Sequence, residues 1–338
     1  VEGASKWVLP DGVTDMGAAL PDFPKASYEA GTYALGNGAF AYLQPDGGWG
    51  FSNAGLVTDS GEALLIDTMF DFPHTRAMLD GFRAASPARI RTLVNTHQNG
   101  DHWFGNALVE DAEIVATARA ASAMAHETPD LLAGFIKAAP GMGLTGEFFL
   151  HCFGRFDFAG ATPKLPDTTF SGRLTRMVGT KAVELIEVGP AHTGGDAIAY
   201  VPADRTVFTG DILFVNGHPI VWAGPIGNWI DACNMIIGLD AEIVVPGHGP
   251  VTDKDGVARV RDYLSYIRDE AKTRYDSGMK PFEAARSIAL DDFAGWGDAE
   301  RIAVNVATLY REFGDTTAPS DAATLFGWMA QLWKDKRK

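Results

Sequence analysis

Thr96-His97-Gln98-Asn99-Gly100-Asp101-His102-Trp103-Phe104-Gly105-Asn106 is the most informative stretch of the chain. It packs two imidazoles and a carboxylate into six residues, directly after Ile90-Arg91-Thr92-Leu93-Val94, which reads as a buried strand. Neutral imidazole and carboxylate are the donors a borderline divalent cation such as zinc prefers, and a tight turn can aim all three to one side. Gly100 is expected to permit the backbone bend. One such residue after a strand would be ordinary; three in one turn point to metal chemistry.

Three further segments repeat the placement. His192 lies in Ala191-His192-Thr193-Gly194-Gly195-Asp196, between runs 181–188 and 197–201 that read as strands. Arg205-Thr206-Val207-Phe208 leads into Thr209-Gly210-Asp211, and Glu242-Ile243-Val244-Val245 ends at Pro246-Gly247-His248. Half of the 8 histidines therefore fall in loops at strand ends, where α/β folds assemble their sites. His74, His126, His151 and His218 lack that setting.

Around these segments, residues 34–43, 51–58 and 63–66 read as short strands, and 73–84 and 229–239 as helices. Residues 117–170 differ in composition. Ala-rich stretches near 116–125 and 131–139 predict a helical insertion and a candidate lid, with Pro140-Gly141-Met142-Gly143 as a mobile connector. The division expected is residues 1–253 as the site-bearing domain and 254–338 as a helical extension, with helices at 257–275, 299–313 and 322–333. Asp298 is the expected N-cap of the second of these helices. Leu325, Trp328, Leu332 and Trp333 are available to pack on the domain or on a second copy, so a homo-oligomer is one expectation.

The chain has 338 residues, enough for a large core, and 28 basic against 43 acidic residues set its net charge at −15. Such a surface repels phosphate backbones, so nucleic acid is not an expected partner. No apolar run reaches the roughly 20 residues of a membrane span. Val1 to Lys6 show no basic stretch followed by an apolar one, which makes a cytoplasmic location the default expectation. Cys152 and Cys233 form no CxxC pair and imply neither a zinc ribbon nor a disulfide framework.

The order of the four segments resembles the metallo-β-lactamase-fold superfamily, whose signature is T-H-x-H-x-D-H followed by separate His, Asp and His segments. The resemblance covers roughly residues 34–253. It implies an α/β fold, an αβ/βα four-layer sandwich of two similar halves with the metal site in a cleft at one edge of the sheets. It implies that Asp101, His102 and His248 hold one ion with Asp211 bridging, and that His97, His192 and position 99 hold another. Asn99 stands where the family has its second histidine. An amide is a weaker zinc ligand than imidazole, so Asn99 reads as a weakened or lost ligand position. This Asn, with the tail helix opened by Gly297-Asp298-Ala299-Glu300-Arg301, resembles one subgroup of hydrolases in the superfamily.

The expected cofactor is one or two divalent ions, zinc foremost, with iron and manganese open. Such an ion lowers the pKa of water from about 15.7 toward 7. Asp101 is the candidate catalytic carboxylate, orienting the attacking water or passing a proton to the leaving group. Asp67, after the strand at 63–66, resembles the family's buried aspartate that hydrogen-bonds the ligand turn. Trp103, Phe214, Asn216 and His218 are candidate substrate-facing residues, with core packing and a turn as the competing readings. The function expected is a metal-dependent hydrolase of a small organic substrate in the ester, lactone, thioester or aryl halide class. The alternatives are an iron-dependent oxidoreductase of the same fold and a non-catalytic metabolite-binding module.

Overall fold

The computed structural model describes residues 13–15 and 28–337, so the N-terminal stretch read for a leader lies outside the described residues. The strands of the first sheet are β1 (Val13–Asp15), β2 (Gly31–Gly36), β3 (Ala39–Leu43), β4 (Ala54–Asp59), β5 (Glu62–Ile66), β6 (Arg89–Val94), β7 (Glu113–Thr117) and β8 (Thr168–Phe170), adjacent in that order. From β2 to β5 the pairing is antiparallel, and from β5 to β8 it is parallel. The second sheet holds β9 (Arg173–Val178), β10 (Lys181–Glu187), β11 (Ala197–Val201), β12 (Thr206–Phe208) and β13 (Ile243–Val245), again in chain order, antiparallel except for the parallel pair β12–β13. The helices are α1 (Phe72–Ala85), α2 (Ala118–Met124), α3 (Pro129–Ala138), α4 (Gly143–Phe153), α5 (Ile226–Gly238), α6 (Lys254–Asp276), α7 (Pro281–Ser287), α8 (Ile302–Glu312) and α9 (Ala322–Lys336).

Burial sorts these elements into four layers. Val57, Leu64, Ile66, Val94 and Val115 of the first sheet meet Val183, Leu185, Ala199, Phe208 and Val245 of the second in one apolar core. The sheets approach so closely that a Cβ on Gly55 would lie 2.3 Å from the Phe208 ring. The alternate residues Leu56, Leu65, Leu93 and Ile114 face outward and are covered by Met78, Leu79 and Phe82 of α1. On the far side, Ile186, Ile198, Val207 and Val244 are covered by Trp229, Cys233 and Ile236 of α5 and by Val260, Leu264 and Ile267 of α6. Each fully buried large apolar side chain contributes roughly 1.5–3 kcal/mol of transfer free energy.

Parallel pairing puts the carboxyl ends of β5 and β6 side by side, and the end of β12 beside that of β13. The turns carrying Asp67, His97 to His102, Asp211 and His248 all leave from those ends.

Several elements differ from the sequence expectation. Residues 34–43 form a hairpin, β2 and β3, around Asn37-Gly38. The expected helix near 116 begins only at Ala118, because Ala116 and Thr117 finish β7 and the Thr117 hydroxyl caps α2 by accepting from Ala120 N–H at 3.1 Å. The presumed connector at 140–143 is a short 3-10 turn running into α4, whose Phe148, Phe149, Cys152 and Phe153 are buried. β9 leaves little signal in the sequence because Arg173-Leu174-Thr175-Arg176-Met177-Val178 keeps no strict alternation; it is an exposed edge strand, with Met177 58% exposed.

Asp298 makes no capping bond. It sits at φ 58 and its carboxylate instead pairs with the buried Arg301 guanidinium at 2.9 Å, which is the larger electrostatic need. The tail helices lie on the body: residues 302–310 of α8 are all buried, and Trp333 of α9 packs 5.6 Å from Phe148 of α4. Among the described residues no helix is long and apolar enough to cross a membrane.

Candidate metal centre

The ligand turn after β6 is held in place by buried polar groups. Asp67 N–H donates to Val94 O at 2.8 Å, joining the ends of β5 and β6. The Asp67 carboxylate then accepts from Thr96 N–H and the Thr96 hydroxyl, each at 2.7 Å, and lies 2.9 Å from His102 Nδ1. Asp67 is buried and sits at φ 61, a conformation Asp tolerates better than most residues. Asn95 and Asn106 bond each other's side chains, and Asn95 also donates to His102 O at 3.1 Å. Gly100 is needed for space rather than for the bend expected of it: its φ is unexceptional, but a Cβ would meet the Phe104 ring at 2.5 Å.

Six side chains from four loops converge on one point. Asp211 is central. Its Oδ1 lies 3.1 Å from His102 Nε2 and 3.4 Å from His248 Nε2, while its Oδ2 lies 3.3 Å from His192 Nε2 and 3.6 Å from His97 Nε2. Asp101 Oδ2 is 3.3 Å from His248 Nε2. The two carboxylate oxygens thus face two separate groups of imidazoles. Asp211 can lie this deep because residue 247 is glycine; a Cβ there would be 2.0 Å from Asp211 Oδ1.

The donor set fits a metal. His97, His102 and Asp211 bring ligand atoms within 4.8 Å of one another, as do Asp101, His102 and His248. His102 Nδ1 faces Asp67, and His192 Nδ1 lies 2.7 Å from Ile220 O, so in both rings the other nitrogen is turned inward. Among the described residues, His97 Nε2, His102 Nε2 and Asp211 Oδ1 are buried without a hydrogen-bond partner. Three orphaned polar atoms at one point are costly unless an ion satisfies them.

Burial opposes charge on every member, yet the protein divides charge sharply across the cluster. Against that burial, His248, His102 and His97 hold Asp211 well below the usual carboxylate range. In the same way Asp211, Asp101 and Asp67 lift His102 well above its ordinary value, and Asp211 with Asp101 takes His248 up to about 9. Burial and the neighbouring His102 push His97 well down, and burial takes His192 down to about 4. The carboxylates thus favour positive charge on the His102–His248 side, while burial disfavours it on the His97–His192 side.

The cluster floors a cavity of about 380 Å³. Asn99, Asp101, His192, Asp211 and His248 form its polar base, and Trp49, Phe70, Phe149, Phe153, Trp222 and Phe326 are prominent in a largely apolar wall. Of the four side chains read as substrate-facing, Phe214 lines the cavity, stacked on His248 with ring centres 5.0 Å apart. The other three do not. Trp103 is wholly buried and donates through Nε1 to Gln98 O at 2.7 Å. Asn216 makes a turn at φ 62, its carbonyl accepting from Gly297 N–H. His218 is packed against Tyr263 and Trp296.

Two charged lining residues, Glu127 and Arg301, were not among the site candidates read from the sequence. Glu127, between α2 and α3, lines the cavity beside Asn99, and burial pushes its carboxyl up to about 7. Arg301 is 2% exposed, lies over Trp49 at 4.4 Å and Phe214 at 5.2 Å, and has an Nε with no partner among the described residues. Neither sits in a ligand-type motif, so only the packing of helices over the cleft reveals them.

The Metallo-beta-lactamase superfamily profile matches residues 47–248. Among curated proteins, the chain is 26% identical over 203 residues to 2,4-dinitroanisole O-demethylase subunit alpha of Nocardioides sp., covering 59% of this chain and 52% of that protein. It is 23% identical over 254 residues to linear primary-alkylsulfatase of Pseudomonas sp., covering 67% and 48%. The chain spans about half the length of these curated relatives. Among solved structures, the sec-alkylsulfatase Pisa1 from Pseudomonas sp. superposes with a TM-score of 0.62 at 17% identity, covering 86% of this chain and 51% of that one. A metallo-beta-lactamase from Pontibacter korlensis superposes at 0.54 with 18% identity, covering 70% and 99%.

Proposed function

The chain belongs to the metallo-beta-lactamase superfamily, and on that premise we propose that it is a metal-dependent hydrolase of a small organic ester, foremost a sulfate ester, with an apolar alkyl or aryl body. The observation that carries this reading is the cavity, a cluster of metal-type donors at the base of an aromatic and aliphatic wall. Such a shape takes an amphiphile polar end first. A linear primary-alkylsulfatase and a dinitroanisole O-demethylase subunit among the relatives support the same leaning toward an apolar alkyl or aryl body.

The chain's own groups divide the work. His97, Asn99 and His192 on one side, and Asp101, His102 and His248 on the other, would hold divalent ions with Asp211 between them. Ions bound there supply positive charge to polarise the scissile bond and acidify water. Asp101 opens to the cavity at 13% side-chain exposure and can take or return a proton at Oδ2. Arg301 offers its free Nε–H to an anionic head, and the surrounding rings exclude water from the bond being broken.

The test is hydrolysis by protein loaded separately with zinc, manganese or iron. The substrates are alkyl sulfates of increasing chain length, aryl sulfates, a nitroaryl methyl ether, and simple esters, lactones and thioesters. Turnover should rise with apolar length, stop on chelation and return with metal, and Asp101→Asn should lose about 10²–10⁴ of it. Metal-loaded protein that turns over none of these substrates would sink the proposal. Activity confined to oxygen consumption by the iron form would move the assignment to an oxidoreductase.

A further inference from the structure

We infer that the buried Asp196 carboxylate is the positioning residue for His192, holding that imidazole in the metal site by gripping the backbone on both sides of it. The inference rests on the metal reading of the cluster above and concerns a group that acts on it through the backbone.

Asp196 is 3% exposed. Its Oδ2 accepts from Ala191 N–H at 3.2 Å and from Thr193 N–H at 2.9 Å, the residues immediately before and after the ligand. Its Oδ1 accepts from the Thr193 hydroxyl at 2.5 Å. One side chain thus closes the loop into a ring around His192. A carboxylate buried this deeply is costly unless hydrogen-bonded, and all three of these donors flank the ligand.

The grip is anchored to the second sheet. Asp196 directly precedes β11, and its carbonyl accepts from Val188 and Gly189 N–H at 2.8 and 3.0 Å. The next residue, Ala197, donates its N–H to Thr96 O at 2.8 Å, beside the ligand His97. On the other side of the loop, His192 O accepts from Trp222 and Ala223 N–H at 3.2 and 3.1 Å, and Ile220 O lies 2.7 Å from the ring Nδ1. The work is divided. Segment 220–223 orients the ring, and Asp196 fixes the backbone that carries it, so that Nε2 stands 3.3 Å from Asp211 Oδ2. A partner placed behind a ligand in this way sets affinity without ligating.

The experiment uses the full chain stripped of metal and titrated with zinc in competition with a chromophoric chelator, for Asp196→Ala, His192→Ala and the double variant. Asp196→Ala should weaken the same ion that His192→Ala weakens, by about 10–100-fold, and leave any other unchanged. In the His192→Ala background it should add less than about twofold, since nothing remains to be positioned. Asp196→Asn can set its amide oxygen where Oδ2 stands and turn its NH₂ to the Thr193 hydroxyl, so it should retain most of the affinity. Thr193→Val deletes the 2.5 Å bond and keeps the backbone, and should weaken the same ion to a lesser degree. Wild-type affinity in Asp196→Ala or in Thr193→Val overturns the proposal. So do losses that multiply in the double variant, a loss at an ion that His192→Ala leaves intact, or Asp196→Asn binding no better than Asp196→Ala. None of these readings needs turnover. Losses that fail to multiply, in a chain without hydrolysis, would remove the proposed function and leave this inference standing; losses that multiply in an active enzyme would do the reverse.

Discussion

Substituting Asp67 by Asn tests whether the ligand turn is set by one buried carboxylate. The replacement keeps the shape and removes one oxygen of a pair that serves Thr96 N–H at 2.7 Å, the Thr96 hydroxyl at 2.7 Å and His102 Nδ1 at 2.9 Å. If the remaining oxygen stays on Thr96 N–H, the new NH₂ faces His102 Nδ1. That contact is favourable only for the tautomer with its proton on Nε2, the nitrogen 3.1 Å from Asp211 Oδ1 that must bind the ion. A hydrogen bond to a charged group contributes about 1.5–3 kcal/mol. Loss of a comparable partner behind a metal-bound histidine costs about 10–100-fold in affinity, or roughly 1.4–2.8 kcal/mol, so the two estimates agree. We expect zinc at the Asp101–His102–His248 group to weaken by that factor, with the His97–His192 group little affected because Thr96 keeps its backbone bond. Competition against a chromophoric chelator reads both equivalents. Wild-type affinity for both would refute the idea that Asp67 sets the His102 tautomer.

Further expectations follow from the same geometry. Gly247→Ala would place a Cβ 2.0 Å from Asp211 Oδ1, so it should cost about 1–3 kcal/mol of stability and abolish tight metal binding; native metal content would contradict this. Phe326→Ala should raise KM for long apolar substrates about 10–100-fold, from roughly 1.5–3 kcal/mol of lost burial, while sparing kcat on short ones; a uniform loss over chain length would count against the cavity as the substrate site. Chelation should lower Tm, since an ion at 100 times its Kd contributes about 2.7 kcal/mol; an unchanged Tm in calorimetry would deny coupling of metal to fold. Burial raises Asp196 from 3.8 to about 7 in the folded protein. Its protonated form stabilises the fold fully below 3.8, and that contribution is lost as pH rises to about 7. Asp196→Asn should flatten this part of the denaturant-midpoint profile, and an identical slope in the variant would exclude the assignment.

The strand-end loops were legible because each ligand follows an apolar run of strand length, and that pattern survives without knowledge of pairing. The position of Asn99 was legible too, but its setting was not. Glu127 lies 28 positions further on in the loop between α2 and α3, with no motif, and only folding brings it into the cavity lining beside Asn99. Trp103 and Phe214 illustrate the same limit. Both flank ligand segments in sequence, yet Trp103 turns into the core to reach Gln98 O while Phe214 faces the cleft. Asp298 misled because a capping residue and a counter-ion have the same side chain. The buried guanidinium of Arg301, three residues later, decided between them. β9 and α7 escaped notice since an exposed edge strand and a short helix bury too little to leave a clear period.

Much of the wall of the cleft has an origin in the chain separate from its floor. Every donor atom comes from a loop at a strand end, whereas Phe149, Phe153 and Phe326 belong to α4 and α9, outside both sheets. Selection or a mutant library can therefore reshape the wall helix by helix without moving a ligand, and new substrate preferences become accessible in single steps while the chemistry is inherited intact. The coupling is one-directional. A change at Gly247 or Asp67 cannot be compensated from the helices, so drift should be confined to the wall and the floor should stay constant among descendants of this protein.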